Sequence, residues 1–141
     1  MLNRRSLVFG SLLLPVTAQA NVTPGTREDF IVNVGDRCFF RFDVGDVDAT
    51  AIKQIYSQAA WLTKYPHHSV TIEGHCDERG TREYNLYLGE KRARAVKEQL
   101  IKFGVNASQL QTVSYGKERP AVLGSNEVAW SQNRRAVVVV Y

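Results

Sequence analysis

Cysteine is scarce: the 141 residues contain two, Cys38 and Cys76, so no disulfide framework carries the fold. One bridge is all that an oxidising compartment could make of them, and it would need Cα atoms within about 7 Å. Beyond residue 20 no run approaches the roughly 18 apolar residues of a membrane-spanning helix. Lysine and arginine total 18 against 14 acids, with no dense basic stripe interleaved with aromatics, which excludes the usual nucleic-acid footprint. Cys-x-x-Cys and His-Glu-x-x-His spacings are missing, and with them the standard zinc signatures. The chain has no internal repeat and no low-complexity tract.

What is present begins with a leader. "MLNRRSLVFGSLLLPVTAQANV" sets Arg4 and Arg5 ahead of an apolar stretch from Leu7 to Val16, and Ala18-Gln19-Ala20 follows with small residues. That is the layout of an export signal, residues 1–20, with cleavage expected after Ala20. Cleavage takes two positive charges from a chain of net charge +4, so the exported product is only mildly basic. The remainder suffices for one domain with one core. No cysteine stands at the cleavage point, so the leader lacks the residue that a bacterial lipoprotein acylates.

Residues 21–29, "NVTPGTRED", are polar around a Pro-Gly turn and are expected to be a flexible lead-in to a domain over 30–141. "FIVNVGDRCFFRFD" clusters β-formers about Gly35-Asp36 and predicts a strand or hairpin ending at Asp43. Asp48 can cap a helix over 49–64, where Ile52, Ile55, Ala59 and Leu62 recur at helical spacing before Pro66 stops the run. "SVTIEG" alternates as a strand over 69–74. Leu88, Val96, Leu100 and Phe103 mark a longer helix from about Tyr84 to Phe103, ended by Gly104. A short turn capped by Asn106, a strand "QTVSYG", a long connection "KERPAVLGSNEVAWSQN" and a closing strand "RRAVVVVY" complete the chain. The valine run suggests burial on both faces. The order β-α-β-α-β-loop-β is that of an α/β sandwich, two main helices packed on a mixed sheet.

One heptapeptide, Gly74-His75-Cys76-Asp77-Glu78-Arg79-Gly80, concentrates chemistry between two glycines. Metal binding is disfavoured because neighbours at a strand end point different ways, leaving at most His75 and Asp77 on one face. A Cys-His nucleophile needs the base within about 3 Å of the sulfur, which adjacent strand residues rarely achieve. No metal and no cofactor is expected. The position offers a third use: a strand ends, a loop turns and a helix starts, which makes a small polar mouth with Asp77 in it. Arg92, four residues from both Leu88 and Val96, borders the packed face of that helix and can reach toward Asp77. Together they would suit a zwitterion, the carboxylate for an ammonium and the guanidinium for a carboxyl group. Spacing alone leaves equal room for a structural ion pair between the two.

"TIEGHCDERGTREYNLYLGEKRARAVKEQL", followed by "VSYGKERPAVLG" and "SQNRRA", resembles the OmpA-like peptidoglycan-binding domain over about 100 residues from Phe30 onward. The resemblance implies a four-stranded mixed sheet with two main helices and a non-enzymatic site for the meso-diaminopimelate of the peptidoglycan stem peptide. It places the ammonium and carboxylate contacts on Asp77 and Arg92, the pocket lining on Phe42 and Asp43, and its wall on Asn85 and Leu88. His75, Arg134 and Arg135 are implied more loosely. It further implies a periplasmic place beside the outer membrane and cell wall, with TolB and other Tol proteins as partners. A protein-binding adaptor without wall contact and a cell-wall amidase are the rival functions, and no second carboxylate or metal set supports the amidase.

Overall fold

The computed structural model describes residues 21–141; the export-signal reading of residues 1–20 lies outside them. The stretch expected to form a strand or hairpin from Phe30 to Asp43 yields three strand residues, β1 (Arg37–Phe39). The rest of it is diverted by burial. Thr26 Oγ1 accepts from the Asp29 N–H at 3.2 Å and starts a helical turn that runs on through Phe30–Val34. Phe30 is fully buried with its ring 5.0 Å from that of Trp61, so this anchor overrides the local β preference. Gly35, at φ +101, ends the turn.

Residues 25–29 are tied down rather than loose. Trp61 Nε1 donates to Asp29 Oδ2 at 2.8 Å, and the two ring nitrogens of His68 meet the carbonyl oxygens of Gly25 and Tyr141 at 2.8 and 2.6 Å.

The two main helices follow their sequence signals. α1 (Ala49–Lys64) starts where Asp48 Oδ1 accepts from the Ala51 N–H at 2.8 Å, and it buries Ile55, Ala59 and Leu62. β2 (Val70–His75) turns Val70 and Ile72 into the core. α2 (Arg82–Lys102) is capped by Thr81, whose hydroxyl accepts from the Tyr84 N–H, and buries Leu88, Val96 and Leu100. β3 is Leu110–Gly116. The long connection expected after it contains a further helix, α3 (Glu127–Asn133), capped by Asn126. Its apolar periodicity is too weak to show in sequence, although an Asn cap followed by an acid in the first turn was a usable sign. β4 (Arg135–Val140) is buried along nearly its whole length, as its valine run predicts.

The strands lie in the order β1-β4-β2-β3. β2 and β3 run parallel through the α2 crossover, while β4 is antiparallel to both β1 and β2. α2 sits unusually close to the sheet: a Cβ added at Gly74 would fall 1.7 Å from the carbonyl oxygen of Gly89. Only glycine fits there, and this contact sets the loop after β2 directly against the first half of α2.

Candidate functional site

A cleft of about 100 Å³ opens where β2 hands over to α2, its wall formed by Asn85 and Leu88 and its mouth by Phe42, Asp43 and Tyr84. Asp77 and Arg92 both line it. They do not pair with each other.

Asp77 is 4% exposed and is gripped by its neighbour two residues on. Arg79 Nε and Nη2 donate to the two carboxylate oxygens at 3.2 and 2.8 Å, and the Arg79 N–H donates to Oδ1 at 3.0 Å. Arg134 Nη1 stands 3.5 Å from Oδ2. Burial pushes the Asp77 carboxyl up, but the hydrogen bonds and charge of Arg79, aided by Arg134, outweigh it and hold the group below its usual range. Asp77 is therefore a carboxylate at neutral pH. The Arg79 guanidinium is itself sandwiched, 3.9 Å from the ring centroids of both Phe42 and Trp130.

Arg92, 1% exposed, serves the backbone. Its Nε donates to Val44 O at 2.9 Å, Nη1 to His75 O at 2.9 Å and Nη2 to Arg41 O at 3.1 Å. One side chain on α2 thus fastens the segment after β1 to the end of β2. Burial lowers its pKa, with the Asp77 carboxylate opposing, yet guanidinium starts so far above neutrality that it stays charged. Three of its five N–H groups are engaged by these carbonyls.

Asn85 braces the loop, its Nδ2 donating to Arg79 O at 2.8 Å and Thr81 O at 2.9 Å. Asp43 adopts φ +59, the left-handed conformation that aspartate tolerates, and its carboxylate accepts from the Tyr84 hydroxyl at the mouth. Arg134 donates to Phe40 O at 2.8 Å and pairs with Glu127 at 2.9 Å, so it supports the cleft as well as facing Asp77.

Two of the loosely implied residues stand elsewhere. The His75 imidazole lies on the opposite side of the sheet, 3.0 Å from Glu73 Oε1 and with its ring 5.5 Å from that of Tyr115, and only its carbonyl reaches the site through Arg92. Strand alternation explains this: Val70 and Ile72 face the helices, so His75 shares the other face with Thr71 and Glu73. Arg135 donates to Asn133 O and Arg119 O and does not line the cleft. Conversely, Arg79 and Tyr84 line the cleft without having been singled out, and Trp130 joins them only by packing on Arg79.

Cys38 and Cys76 are free and buried. Cys38 pairs with Ala136 on β4, and Ala136 pairs with Gly74 on β2. Two strand spacings put Cys38 roughly 10 Å from Gly74, and Cys76 lies two residues further along the chain, where the two thiols are free rather than bridged. Burial pushes the Cys38 thiol up to about 12 and the Cys76 thiol up to about 11, which keeps both protonated and unreactive.

Comparison with known proteins identifies the family and the fold. A family model described as "OmpA family" matches residues 39–134. A peptidoglycan-associated lipoprotein of Agrobacterium fabrum is 46% identical across 98% of this chain and 78% of its own. One of Brucella melitensis is 52% identical across 84% and 70%. The crystal structure of the peptidoglycan-associated lipoprotein from Burkholderia pseudomallei matches with a TM-score of 0.73 at 42% identity, over 75% of this chain and 90% of that one. The α/β fold expected from sequence is the fold of that structure, and the chain belongs to the OmpA family.

Proposed function

We propose that this chain binds peptidoglycan non-covalently through the meso-diaminopimelate of the stem peptide. It thereby tethers the outer membrane to the cell wall as part of the Tol-Pal system, in envelope integrity and cell division. The observation that carries this reading is that a nearly buried carboxylate, Asp77, and a buried guanidinium, Arg92, line one small cleft. The free end of diaminopimelate bears an ammonium and a carboxylate on a single carbon. Asp77 takes the ammonium, Arg92 turns its remaining N–H groups to the carboxylate, and Phe42 and Leu88 keep water away. Asp43 adds an acceptor at the mouth. Charge-assisted hydrogen bonds in such a sheltered place are stronger than on open surface.

Recognition of this kind is binding without catalysis. It needs no nucleophile, and the only thiol in the cleft, Cys76, is held protonated by burial. The names of the relatives, peptidoglycan-associated lipoproteins, support both the ligand and a place in the envelope beside the outer membrane. TolB and other Tol proteins are the expected protein partners.

Co-sedimentation with purified peptidoglycan tests the reading. Truncating one partner of a buried charge pair costs about 2 to 5 kcal/mol, so Asp77→Asn and Arg92→Lys should each weaken binding at least roughly thirtyfold. Lysine keeps the charge of Arg92 and part of its donor capacity, whereas alanine would strip three backbone carbonyls of their donor. Undiminished sedimentation of both variants would leave a protein-binding adaptor as the better account.

A further inference from the structure

We infer that Arg79 is a built-in competitor: its guanidinium holds the cation position at Asp77, and a ligand's ammonium group binds by displacing it. This rests on the proposed recognition of an ammonium-carboxylate end group and adds the residue that sets its affinity and selectivity.

The cation position is complete as it stands. Arg79 satisfies both oxygens of Asp77, and the rings of Phe42 and Trp130 cover its two faces at 3.9 Å each. A cation position with a carboxylate at one end and aromatic rings beside it is what any ammonium would seek. With Asp77 only 4% exposed and Arg134 on its inner side, no cation from solvent reaches it while Arg79 stays.

Arg79 is nevertheless built to leave. Its side chain is 31% exposed, and Phe42 on one side of it is 55% exposed. The next residue, Gly80, holds φ +96 and gives the loop freedom that other residues lack. Glu127 and Glu78 lie near enough to strengthen the charge on Arg79, so the departing guanidinium has carboxylates to turn to. Asp77 is not abandoned during the exchange, because Arg134 remains 3.5 Å away.

Selectivity follows from the exchange. A simple amine replaces one cation by another and gains little. A ligand that also offers a carboxylate to Arg92 gains a second contact that Arg79 cannot make, and this tips the exchange its way. The internal competitor therefore rejects lone amines and admits zwitterionic ends.

Calorimetric titration of the purified protein with meso-diaminopimelate and with cadaverine, a plain diamine, tests this. If the unplugged state is populated about one part in ten, Arg79→Ala and Arg79→Gln should each bind diaminopimelate roughly tenfold tighter. Both should also acquire cadaverine binding that the unaltered protein lacks. In the unaltered protein, the NMR signal of the Arg79 Nε–H should move to a solvent-exposed position at diaminopimelate saturation. Equal or weaker binding by both Arg79 variants, or an unmoved Nε–H signal at saturation, overturns the competitor. Weak binding by Asp77→Asn in the same series keeps the cleft itself in place, whereas unchanged binding by Asp77→Asn removes the cleft and its competitor together.

Discussion

The floor of the cleft and its roof are built by different means. The floor is backbone fixed by close approach and by buried side-chain donors: Gly74 against Gly89, Asn85 under the loop, and Arg92 joining carbonyls from two separate segments. The roof is side chain on side chain, with Arg79 between Phe42 and Trp130, each of them partly open to solvent. A floor of this kind has one arrangement, because every alternative leaves buried polar groups unmatched. The roof has neighbouring arrangements of similar energy, since an exposed cation over an aromatic ring contributes only about 0.5 to 1 kcal/mol. Rigidity therefore lies beneath the ligand and adjustability above it.

Disturbing the floor should produce the largest effects. Gly74→Ala would drive a methyl group into the Gly89 carbonyl, so α2 must lift from β2. Overpacking and lost sheet contacts together should remove at least about 3 kcal/mol of stability, read from urea denaturation. A Gly74→Ala protein as stable as the original would mean that α2 slides freely on the sheet. Arg92→Ala comes next. Three carbonyls lose their donor, and with about 1 to 3 kcal/mol for each buried group left unpaired, a loss of about 3 kcal/mol or more is expected. Arg92→Lys should retain part of this.

The roof should affect stability less and binding more. Trp130→Leu removes one aromatic face from Arg79 and the indole hydrogen bond to Glu78, both on the solvent side. Stability should fall by no more than about 1 kcal/mol, while diaminopimelate affinity changes clearly. If denaturation shows Trp130→Leu to be as damaging as Arg92→Ala, the distinction between floor and roof is lost.

That same division decides what could be foreseen from sequence. The helices were legible because their signals are local: Asp48 before an apolar 3.6-residue pattern, Leu88, Val96 and Leu100 at helical spacing, and Gly104 after them. Alternation along β2 put Val70 and Ile72 on the core face, but by the same rule His75 and Asp77 could share a side, so the chain's turn after β2, which parts them, was not legible. The placement of Asp77 and Arg92 on one cleft followed from their positions at a strand end and on a helix face. Arg79 was hidden for a physical reason: its rings come from residues 42 and 130, brought together by the sheet order β1-β4-β2 rather than by any spacing. The false hairpin at Phe30 has the same origin, a burial against Trp61 that no local pattern encodes.

The smallest effect, and the finest probe of where floor meets roof, concerns acid. Asp77 has a folded pKa below its ordinary 3.8, because the donors of Arg79 and the nearby charges outweigh the burial that alone would raise it. A carboxyl with a depressed folded pKa stabilises the native state in its ionised form. Its contribution is fully present above the unfolded value near 3.8 and is lost as pH falls through the lower folded value. Many carboxyls titrate in that range, so the informative quantity is a difference. The gap in urea midpoint between the original protein and Asp77→Asn should be constant from pH 7 to about pH 5 and close below about pH 4. In Arg79→Gln the main donor is gone, burial and Arg134 are left to oppose each other, and the same gap should be smaller and close at higher pH. A gap that persists unchanged to pH 3 would mean that Asp77 draws its stability from its shape and its backbone bond to residue 79, with the charge of the roof playing no part.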